Sequence, residues 1–305
     1  MAAEKGQDAG RGADGVRRRL ALLAFFAFSA APVGASTYFE VEKVCPIDGE
    51  KFSFLELGSI SQWGSLPDGM PLGSGYFPIQ LAQCPKNGMV LYRDFDAPTI
   101  QRLKPVIKGE AYQALYAAEE TRYFLAYHIA RELGDPDAPW LLLSATWEAK
   151  NEEPAGARAR RYGEAFVTLV QSLPFDPTRL DSIALRARAS NALRELGRFE
   201  EAEALRSAIH IAPDAGGQEQ EAEENRQGWK NYLARLALPI ARREQSRAPI
   251  DMIGNREAAA RCLSHETAEK RKDETSPPLT ELEVSFCKAS DIQKEIVRMR
   301  AFNGE

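Results

Sequence analysis

The spacing of apolar residues divides the chain into an extended part and a helical part. Between Cys45 and Pro98 the apolar positions alternate in Phe52–Leu57, and a second short apolar run occupies Met89–Tyr92. Alternation with a period of two is typical of a β-strand. From Ala97 onward apolar residues recur three and four positions apart, which is the period of an α-helix. The pattern therefore predicts a mainly α protein with a small N-terminal β-ribbon.

Glycines and prolines separate the helices predicted in the helical part. Gly134 is typical of a helix C-terminus, and Asp176 followed by Pro177 has the composition of a helix start. The predicted helices are Glu110–Leu133, Trp140–Ala149, 154–173 and 178–196. The second of these is the predicted packing partner of the first.

The stretch Ala189–Asp214 has the pattern of a tetratricopeptide (TPR) repeat. Ser190 and Ala202 are small residues at positions where two helices approach closely, and Gly197 lies in the tight turn between them. Pro213 marks the predicted end of the second helix. We expect TPR-like pairs of helices that stack into a curved surface, with a plain helical bundle as the alternative.

The C-terminal part has little helical periodicity before its last helix. Positions 245–278 are rich in charge without a stable period, and they end in a linker-like composition. Beyond them, Ser290 and Gln293 are spaced as a capping box. The predicted apolar stripe of that helix is Ile292, Ile296 and Met299. We expect this stripe to pack on the helical domain, with a partner surface as the alternative.

The N-terminus has the layout of a secretory signal. Arg17–Arg19 precede the apolar run Leu20–Ala31, and small residues surround Ala35, after which we expect cleavage. The apolar run is shorter than the roughly 20 residues that a membrane-spanning helix needs. No later segment is long and apolar enough to cross a bilayer. We therefore predict a periplasmic or secreted protein with no membrane span after cleavage, and an uncleaved anchor is the alternative.

Charge and the absence of catalytic motifs argue against two broad classes of function. The chain has a formal net charge of −5, and its leader is basic, so the mature protein is more acidic still. A general nucleic-acid-binding protein would present a basic face instead. Nucleophile elbows, HExxH motifs and glycine-rich phosphate loops are absent, and the carboxylates of Glu119–Glu120 and Glu200–Glu201 fit solvated helix faces. We expect neither a nucleic-acid partner nor catalysis.

Two short turns in the β-ribbon carry the most specific signal in the sequence. Cys45–Gly49 reads CPIDG, and Cys84–Gly88 reads CPKNG. Paired CPxCG turns followed by TPR-type helices resemble an uncharacterised bacterial family of zinc-ribbon proteins. In such a ribbon each turn, or knuckle, supplies two thiolates to one tetrahedral zinc ion. Here Asp48 and Asn87 stand where the second thiolate of each knuckle would be.

The resemblance implies that the first ligand positions of the two knuckles lie within a few ångströms of each other. Cys45 and Cys84 occupy those positions, and an exported protein meets an oxidising compartment. We therefore expect a Cys45–Cys84 disulfide in place of zinc, stabilising the fold by roughly 2–4 kcal/mol. The alternative is a metal site in which Cys45, Asp48 and Cys84 hold zinc. No cofactor is expected otherwise.

The other two cysteines allow more than one interpretation. Several disulfide connectivities are possible, and we prefer Cys262 with Cys287 because each bond then closes within its own region. Cys262 and His265 have helical spacing, so a three-ligand metal site with Cys287 is an alternative. His128 and His210 lie in predicted helices and are expected to be structural.

The expected function is that of an exported, non-catalytic binding or scaffold protein of the bacterial cell envelope. A peptide or protein would lie on the TPR-like surface, where basic side chains would suit an acidic segment or a C-terminal carboxylate. The predicted contact residues are Arg179, Arg186, Asn191 and Arg194. One alternative is a metal-binding or thiol–disulfide protein that uses Cys45 and Cys84. The other is an envelope enzyme whose site no motif reveals.

These observations divide the chain into four predicted regions. They are a signal peptide at 1–35, a β-ribbon with two knuckles at 36–96, a TPR-like helical domain at 97–246, and a charged linker with a C-terminal helix at 247–305. The first boundary follows from the cleavage site, the second from the change of period at Ala97, and the third from the loss of period after Gln245.

Overall fold

Helices account for most of the residues that the structure describes. The structure is a computed structural model, and it describes residues 36–272, 275 and 277–303. Within those residues it contains eleven helices and three two-stranded antiparallel sheets. The predicted class, mainly α with a small N-terminal β-ribbon, is confirmed. The predicted signal peptide lies outside the described residues.

The strands form three hairpins that precede the helices. They are β1 (Thr37–Val44) with β2 (Lys51–Ser59), β3 (Gln62–Ser65) with β4 (Pro71–Gly73), and β5 (Ala82–Gln83) with β6 (Val90–Leu91). β1 and β2 pair along their whole length, so the turn Cys45–Glu50 closes this hairpin. The turn Cys84–Met89 closes the β5–β6 hairpin in the same way. Each predicted knuckle therefore joins two paired strands.

The helices occupy the described chain from Ala97 onward. They are α1 (Ala97–Lys108), α2 (Glu110–Ala117), α3 (Arg122–Leu133), α4 (Ala138–Glu152), α5 (Ala157–Ser172), α6 (Leu180–Glu195), α7 (Phe199–Ala208), α8 (Gln220–Ala241), α9 (Asn255–Arg271), α10 (Glu281–Lys288) and α11 (Ser290–Asn303). From α2 to α8 each helix packs against the next one, and α6 also contacts α8. Among the described helices, none combines the length and the apolar character needed to cross a membrane.

The single helix predicted over Glu110–Leu133 is wrong, because the structure has two helices there. α2 ends at Ala117, and Glu119 has a positive φ of 53°. Thr121 then caps α3, and its side chain accepts a hydrogen bond from the Phe124 backbone amide at 3.3 Å. The apolar spacing continues through the break because residues on both sides pack against one core.

α6 and α7 meet where the sequence predicts a TPR-like pair. Ser190 and Ala202 are both fully buried, and the Ser190 hydroxyl donates to the Ala202 carbonyl at 2.8 Å. Gly197 lies in the turn between the helices with a φ of 80°. α7 ends at Ala208, earlier than the stop predicted at Pro213. The close approach of the two helices is confirmed, and TPR-like stacking stays a prediction.

The segment predicted to lack periodicity contains α9, which packs against α11. The buried face of α9 consists of the small residues Ala258, Ala259 and Cys262. Such residues add little hydropathy, so this face does not stand out in a charged sequence. Opposite it, α11 buries Ile292 and Ile296, two residues of the predicted apolar stripe. The stripe therefore packs within the chain, but on α9 and not on the helical domain 97–246, where we expected it.

The structure places the capping box one helix earlier than predicted. Thr280 is the N-cap of α10. Its hydroxyl accepts a hydrogen bond from the Glu283 backbone amide at 3.2 Å, and the Glu283 carboxylate accepts one from the Thr280 backbone amide at 2.9 Å. At the predicted position, the Gln293 side chain donates to the Cys287 carbonyl instead of reaching back to Ser290. Both places have the residue spacing of a capping box, but both hydrogen bonds of the motif form only between Thr280 and Glu283.

One hydrophobic core extends from the two knuckles to α6. Cys45, Cys84 and Met89 of the ribbon are fully buried in it, as are Leu142 of α4 and Ala189 of α6. The ribbon and the first helices therefore share a single core. This arrangement fixes the ribbon on the helices and brings the loop between β3 and β4 to their surface.

Candidate functional site

Both knuckles have the same backbone. In each turn the cysteine N–H donates to the carbonyl of the sixth residue at 2.8 Å, and the glycine N–H donates to the cysteine carbonyl at 2.8 Å and 3.0 Å respectively. Gly49 and Gly88 have φ angles of 76° and 72°, a left-handed conformation that favours glycine. At Gly88 a Cβ would also lie only 2.4 Å from the ring of Tyr116.

Helix α2 holds the second knuckle in place. The Tyr112 hydroxyl donates to the Gly88 carbonyl at 2.9 Å, and the Gln113 side chain donates to the Asn87 carbonyl at 2.9 Å. Tyr112 is buried, and burial raises the pKa of its hydroxyl, so the group stays a neutral donor. The knuckle is thus positioned by hydrogen bonds to its backbone.

The two knuckle cysteines are bonded to each other. Cys45 and Cys84 form a disulfide with a Cα–Cα distance of 5.5 Å, and both residues are fully buried. This confirms the predicted pairing. Because each sulfur is committed to the other, the alternative zinc site of Cys45, Asp48 and Cys84 has no thiolate ligand in this form of the protein. A zinc site at these residues stays a prediction for the reduced chain.

Asp48 and Asn87 replace the missing ligands with a hydrogen bond between the knuckles. The Asn87 side-chain amide donates to Asp48 Oδ2 at 3.0 Å and lies 3.2 Å from the Cys45 sulfur. The remaining oxygen of each side chain accepts a backbone amide of its own turn, from Glu50 at 3.1 Å and from Met89 at 3.0 Å. Both side chains are therefore fully used within the knuckles.

The second disulfide joins α9 to α10. Cys262 and Cys287 have a Cα–Cα distance of 5.7 Å, which confirms the preferred connectivity. In this form of the protein the alternative metal site with His265 likewise has no thiolate ligand, and the His265 ring lies 3.7 Å from Glu269. Within the described residues, no group of three or more His, Cys, Asp or Glu side chains is arranged to hold a metal ion.

The other two histidines contact aromatic rings. His128 makes edge-on contacts with the rings of Phe124 and Tyr127, whose centroids lie 4.9 Å and 5.3 Å away. Burial lowers the pKa of His128 to about 4, so the ring is neutral at ordinary pH. His210, predicted to lie in a helix, follows the end of α7 at Ala208 and lies 5.4 Å from the ring of Phe175. These contacts agree with the structural roles expected from the sequence.

Two of the predicted contact residues are wrong, because Asn191 and Arg194 are fully buried. The Arg194 guanidinium donates to the carbonyls of Glu244 and Ser246 at 2.6 and 2.8 Å, and to the Asn191 side chain at 3.1 Å. This hydrogen bonding attaches the segment after α8 to α6. The sequence could not reveal it, since the partners are 50 residues apart.

The other two predicted contact residues are more accessible. Arg179 is exposed at the start of α6 and lies 3.8 Å from Asp181. Arg186 is half-buried and donates to the Leu173 carbonyl at 2.6 Å. Neither residue lines the cavity described next. The four predicted residues therefore lie in α6 or directly before it without forming one binding surface.

A buried lysine on α4 organises a cluster of charges. Lys150 Nζ lies 3.0 Å from Asp68 and 2.6 Å from Glu195, and Arg247 Nε lies 3.6 Å from Asp68. Burial alone would raise the Asp68 pKa, but the positive charges of Lys150 and Arg247 outweigh it and hold that pKa below its usual range. Likewise the two carboxylates raise the Lys150 pKa despite its burial. Asp68 and Lys150 are therefore both charged at neutral pH.

Asp68 reaches this cluster from the loop between β3 and β4. The loop makes a tight turn in which the Leu66 amide donates to the Met70 carbonyl at 2.9 Å. The neighbouring Pro67 carbonyl accepts from Arg188 of α6 at 2.5 Å and from Tyr232 of α8 at 2.7 Å. The turn is thus anchored on α4, α6 and α8 at once.

Next to Lys150 lies a cavity of about 280 Å³. Its charged lining residues are Lys150, Arg160, Arg188, Arg247, Asp68 and Glu195. Four are cationic and two anionic, so the lining has an excess of positive charge. A cavity of this kind is suited to an anionic group.

Two side chains of the cavity have hydrogen-bond donors without a partner in the part of the chain that the structure describes. The Arg160 guanidinium and the Gln245 side-chain amide make no hydrogen bond or ion pair there, and both side chains are exposed. Arg247 Nε is buried and makes no hydrogen bond, but it forms an ion pair with Asp68 at 3.6 Å. Guanidinium and amide N–H groups are the donors that a carboxylate accepts. The arrangement can therefore bind a carboxylate.

Sequence motifs do not mark this cavity. Its residues come from two loops, three helices and the segment after α8, and Lys150 is 82 residues from Asp68. The one usable signal is Lys150 itself, a cation directly after the apolar helix Trp140–Ala149. The chain matches no protein-family model, no curated protein and no solved structure. The resemblance to the zinc-ribbon family thus stays an expectation from the knuckle residues alone.

Proposed function

We propose that the chain is an exported, non-catalytic binding protein of the bacterial cell envelope that holds a peptide or protein by a carboxylate. The carboxylate binds in the cavity beside Lys150. The observation that carries the proposal is the pair of partnerless donor groups there, on Arg160 and Gln245, in a lining with excess positive charge.

The charges around Lys150 support this assignment. Lys150 is already compensated by Asp68 and Glu195, so it does not demand a further anion. Arg160 has no such compensation among the described residues, and it offers a planar fork of N–H groups that matches a carboxylate. A hydrogen bond to a charged group contributes about 1.5–3 kcal/mol. Arg160 is therefore the main determinant of affinity in this proposal.

Two observations support the exported location. Disulfides persist in oxidising compartments, and the described residues contain two of them. The leader sequence has the composition of a secretory signal. A thiol–disulfide role for Cys45 and Cys84 is less well supported, because exchange needs an accessible sulfur and both residues are fully buried.

The test compares a carboxylate with its amide. A labelled peptide AAALA is titrated as the free acid and as the C-terminal amide, and binding is followed by fluorescence anisotropy. The free acid is expected to bind at least about tenfold more tightly. Arg160→Gln should remove most of that difference. Arg179→Gln, which changes an exposed arginine outside the cavity, is the matched control and should leave it intact.

The outcomes separate the proposal from other anion sites. Equal binding of acid and amide by the unmodified protein would overturn it. Inorganic phosphate at matched ionic strength is the competitor, and a carboxylate site predicts weak competition. If phosphate displaces the peptide fully at a similar concentration, the cavity is a general anion site, and the peptide proposal fails.

A further inference from the structure

A second cavity, of about 670 Å³, adjoins the first. Lys150, Pro154 and Arg247 line both cavities, so the two share a wall. A peptide whose terminal carboxylate lies beside Arg160 and Gln245 can place its preceding residues along this wall. The lining of the second cavity therefore affects which residues of a peptide ligand can precede its terminal carboxylate.

The second cavity is lined largely by apolar side chains. Met70 and Phe77 are buried, and Trp63 and Met299 also line it. Trp63 is 40% exposed, and the Arg256 guanidinium lies over its ring at 4.2 Å from the centroid. A cation–π contact of this kind holds the indole in one orientation. The apolar walls are therefore present before any ligand arrives.

The charged residues of the second cavity do not favour an acidic ligand over an apolar one by themselves. Lys150, Arg247 and Arg256 line it together with Glu257, which makes no hydrogen bond or ion pair among the residues that the structure describes. The side chain of a ligand would therefore be selected mainly by the apolar walls, where an apolar side chain would bury its surface. The two cavities thus favour different parts of one ligand.

We infer, building on the proposed function, that the ligand is the C-terminal end of a polypeptide with an apolar side chain among its last three residues. The terminal carboxylate binds the partnerless donors of the first cavity. The apolar side chain enters the second cavity, between Trp63 and Met299. Successive residues of an extended peptide rise about 3.3 Å each, so a neighbouring cavity lies within reach of the last few residues.

The inference is tested by changing the peptide and the cavity separately. AAALA and AAASA, both with free carboxylates, are titrated into the full-length protein. The leucine peptide is expected to bind about tenfold more tightly than the serine peptide. Trp63→Ala and Met299→Ala should each reduce the leucine-over-serine preference. Phe39→Ala, which removes an exposed ring on β1, should not.

The outcomes distinguish this inference from the function on which it rests. If leucine and serine peptides bind equally while the acid still binds better than the amide, the inference fails and the carboxylate site stands. If acid and amide bind equally, the proposed function fails first. A leucine preference that survives in both cavity variants, with unchanged melting temperatures, would place the apolar side chain elsewhere and overturn the inference.

Discussion

The knuckles and the cavity beside Lys150 are built in opposite ways. In the knuckles the two sulfurs bond to each other, and Asp48 and Asn87 satisfy each other and their own turns. In the cavity Lys150 is compensated, but Arg160 and Gln245 keep donors without a partner among the described residues. The difference shows that the side chains of a conspicuous sequence motif can satisfy one another completely. Hydrogen-bond donors without a partner, in contrast, can lie where no motif occurs.

The largest expected effect on stability belongs to the cavity. Lys150→Met would leave Asp68 and Glu195 buried without their common cation, at a cost of about 3–5 kcal/mol in the free energy of unfolding. Urea unfolding followed by circular dichroism measures this change. Lys108→Met, at an exposed position, is the control and should change stability by less than about 0.5 kcal/mol. A loss of similar size in both variants would show that the ion pairs of Lys150 contribute no more to stability than an exposed lysine does.

A somewhat smaller loss is expected in the knuckles. Replacing Cys45 and Cys84 together by alanine removes a disulfide that closes a separation of 39 residues, which should cost about 2–4 kcal/mol. The matched variant replaces Cys262 and Cys287, whose separation is 25 residues, and should lose slightly less. Urea midpoints of both double variants provide the comparison. The reverse order would mean that the knuckle disulfide contributes less than its buried position suggests.

Acid should act on the cavity through Asp68. The Asp68 pKa lies below its unfolded value of about 3.9, so its ionised form stabilises the fold above that pH. This contribution is lost as the pH falls from the unfolded pKa through the lower folded one. Unfolding free energies measured between neutral and strongly acidic pH should therefore fall less steeply for Asp68→Asn than for the unmodified protein. Parallel curves would contradict the assigned charge pairing.

The smallest effect is expected at the hydrogen bond between the knuckles. Asn87→Ala removes the amide that joins Asp48 to the second knuckle, and the Met89 amide loses its acceptor. Because Asp48 is exposed to water, the expected loss is only about 1 kcal/mol. Thermal unfolding with the disulfides intact measures it. A loss as large as that from removing the disulfide would show that the hydrogen bond, not the sulfur bridge, fastens the knuckles.

Sequence reasoning predicted the parts of the fold in which the signal is local. The knuckle turns, the Cys45–Cys84 pair and the close approach of Ser190 to Ala202 depend on short motifs with specific residues. α9 was not predicted because its buried face is made of alanine and cysteine. The break before Thr121 was not predicted because the apolar spacing continues on both sides of it.

The candidate site depends on contacts between residues far apart in sequence. Arg194 looks like a surface arginine until the segment after α8 folds over it and accepts its hydrogen bonds. Arg160 looks like any charged residue of an amphipathic helix, and only the cavity gives it a role. A pattern of single residues contains no information about these contacts. Only the tertiary structure shows that Arg194 is buried and that Arg160 lines the cavity.

The most direct measurement compares two side-chain amides in one experiment. Nuclear magnetic resonance spectra of the 15N-labelled protein report both Gln245 in the cavity and Asn87 between the knuckles, with assignments from Gln245→Glu and Asn87→Asp. Adding AAALA with a free carboxylate should shift the Gln245 signals and leave those of Asn87 in place, and the amidated peptide should shift neither. Movement of Asn87, or an unmoved Gln245 at saturating peptide, would contradict the assignment of binding to the cavity.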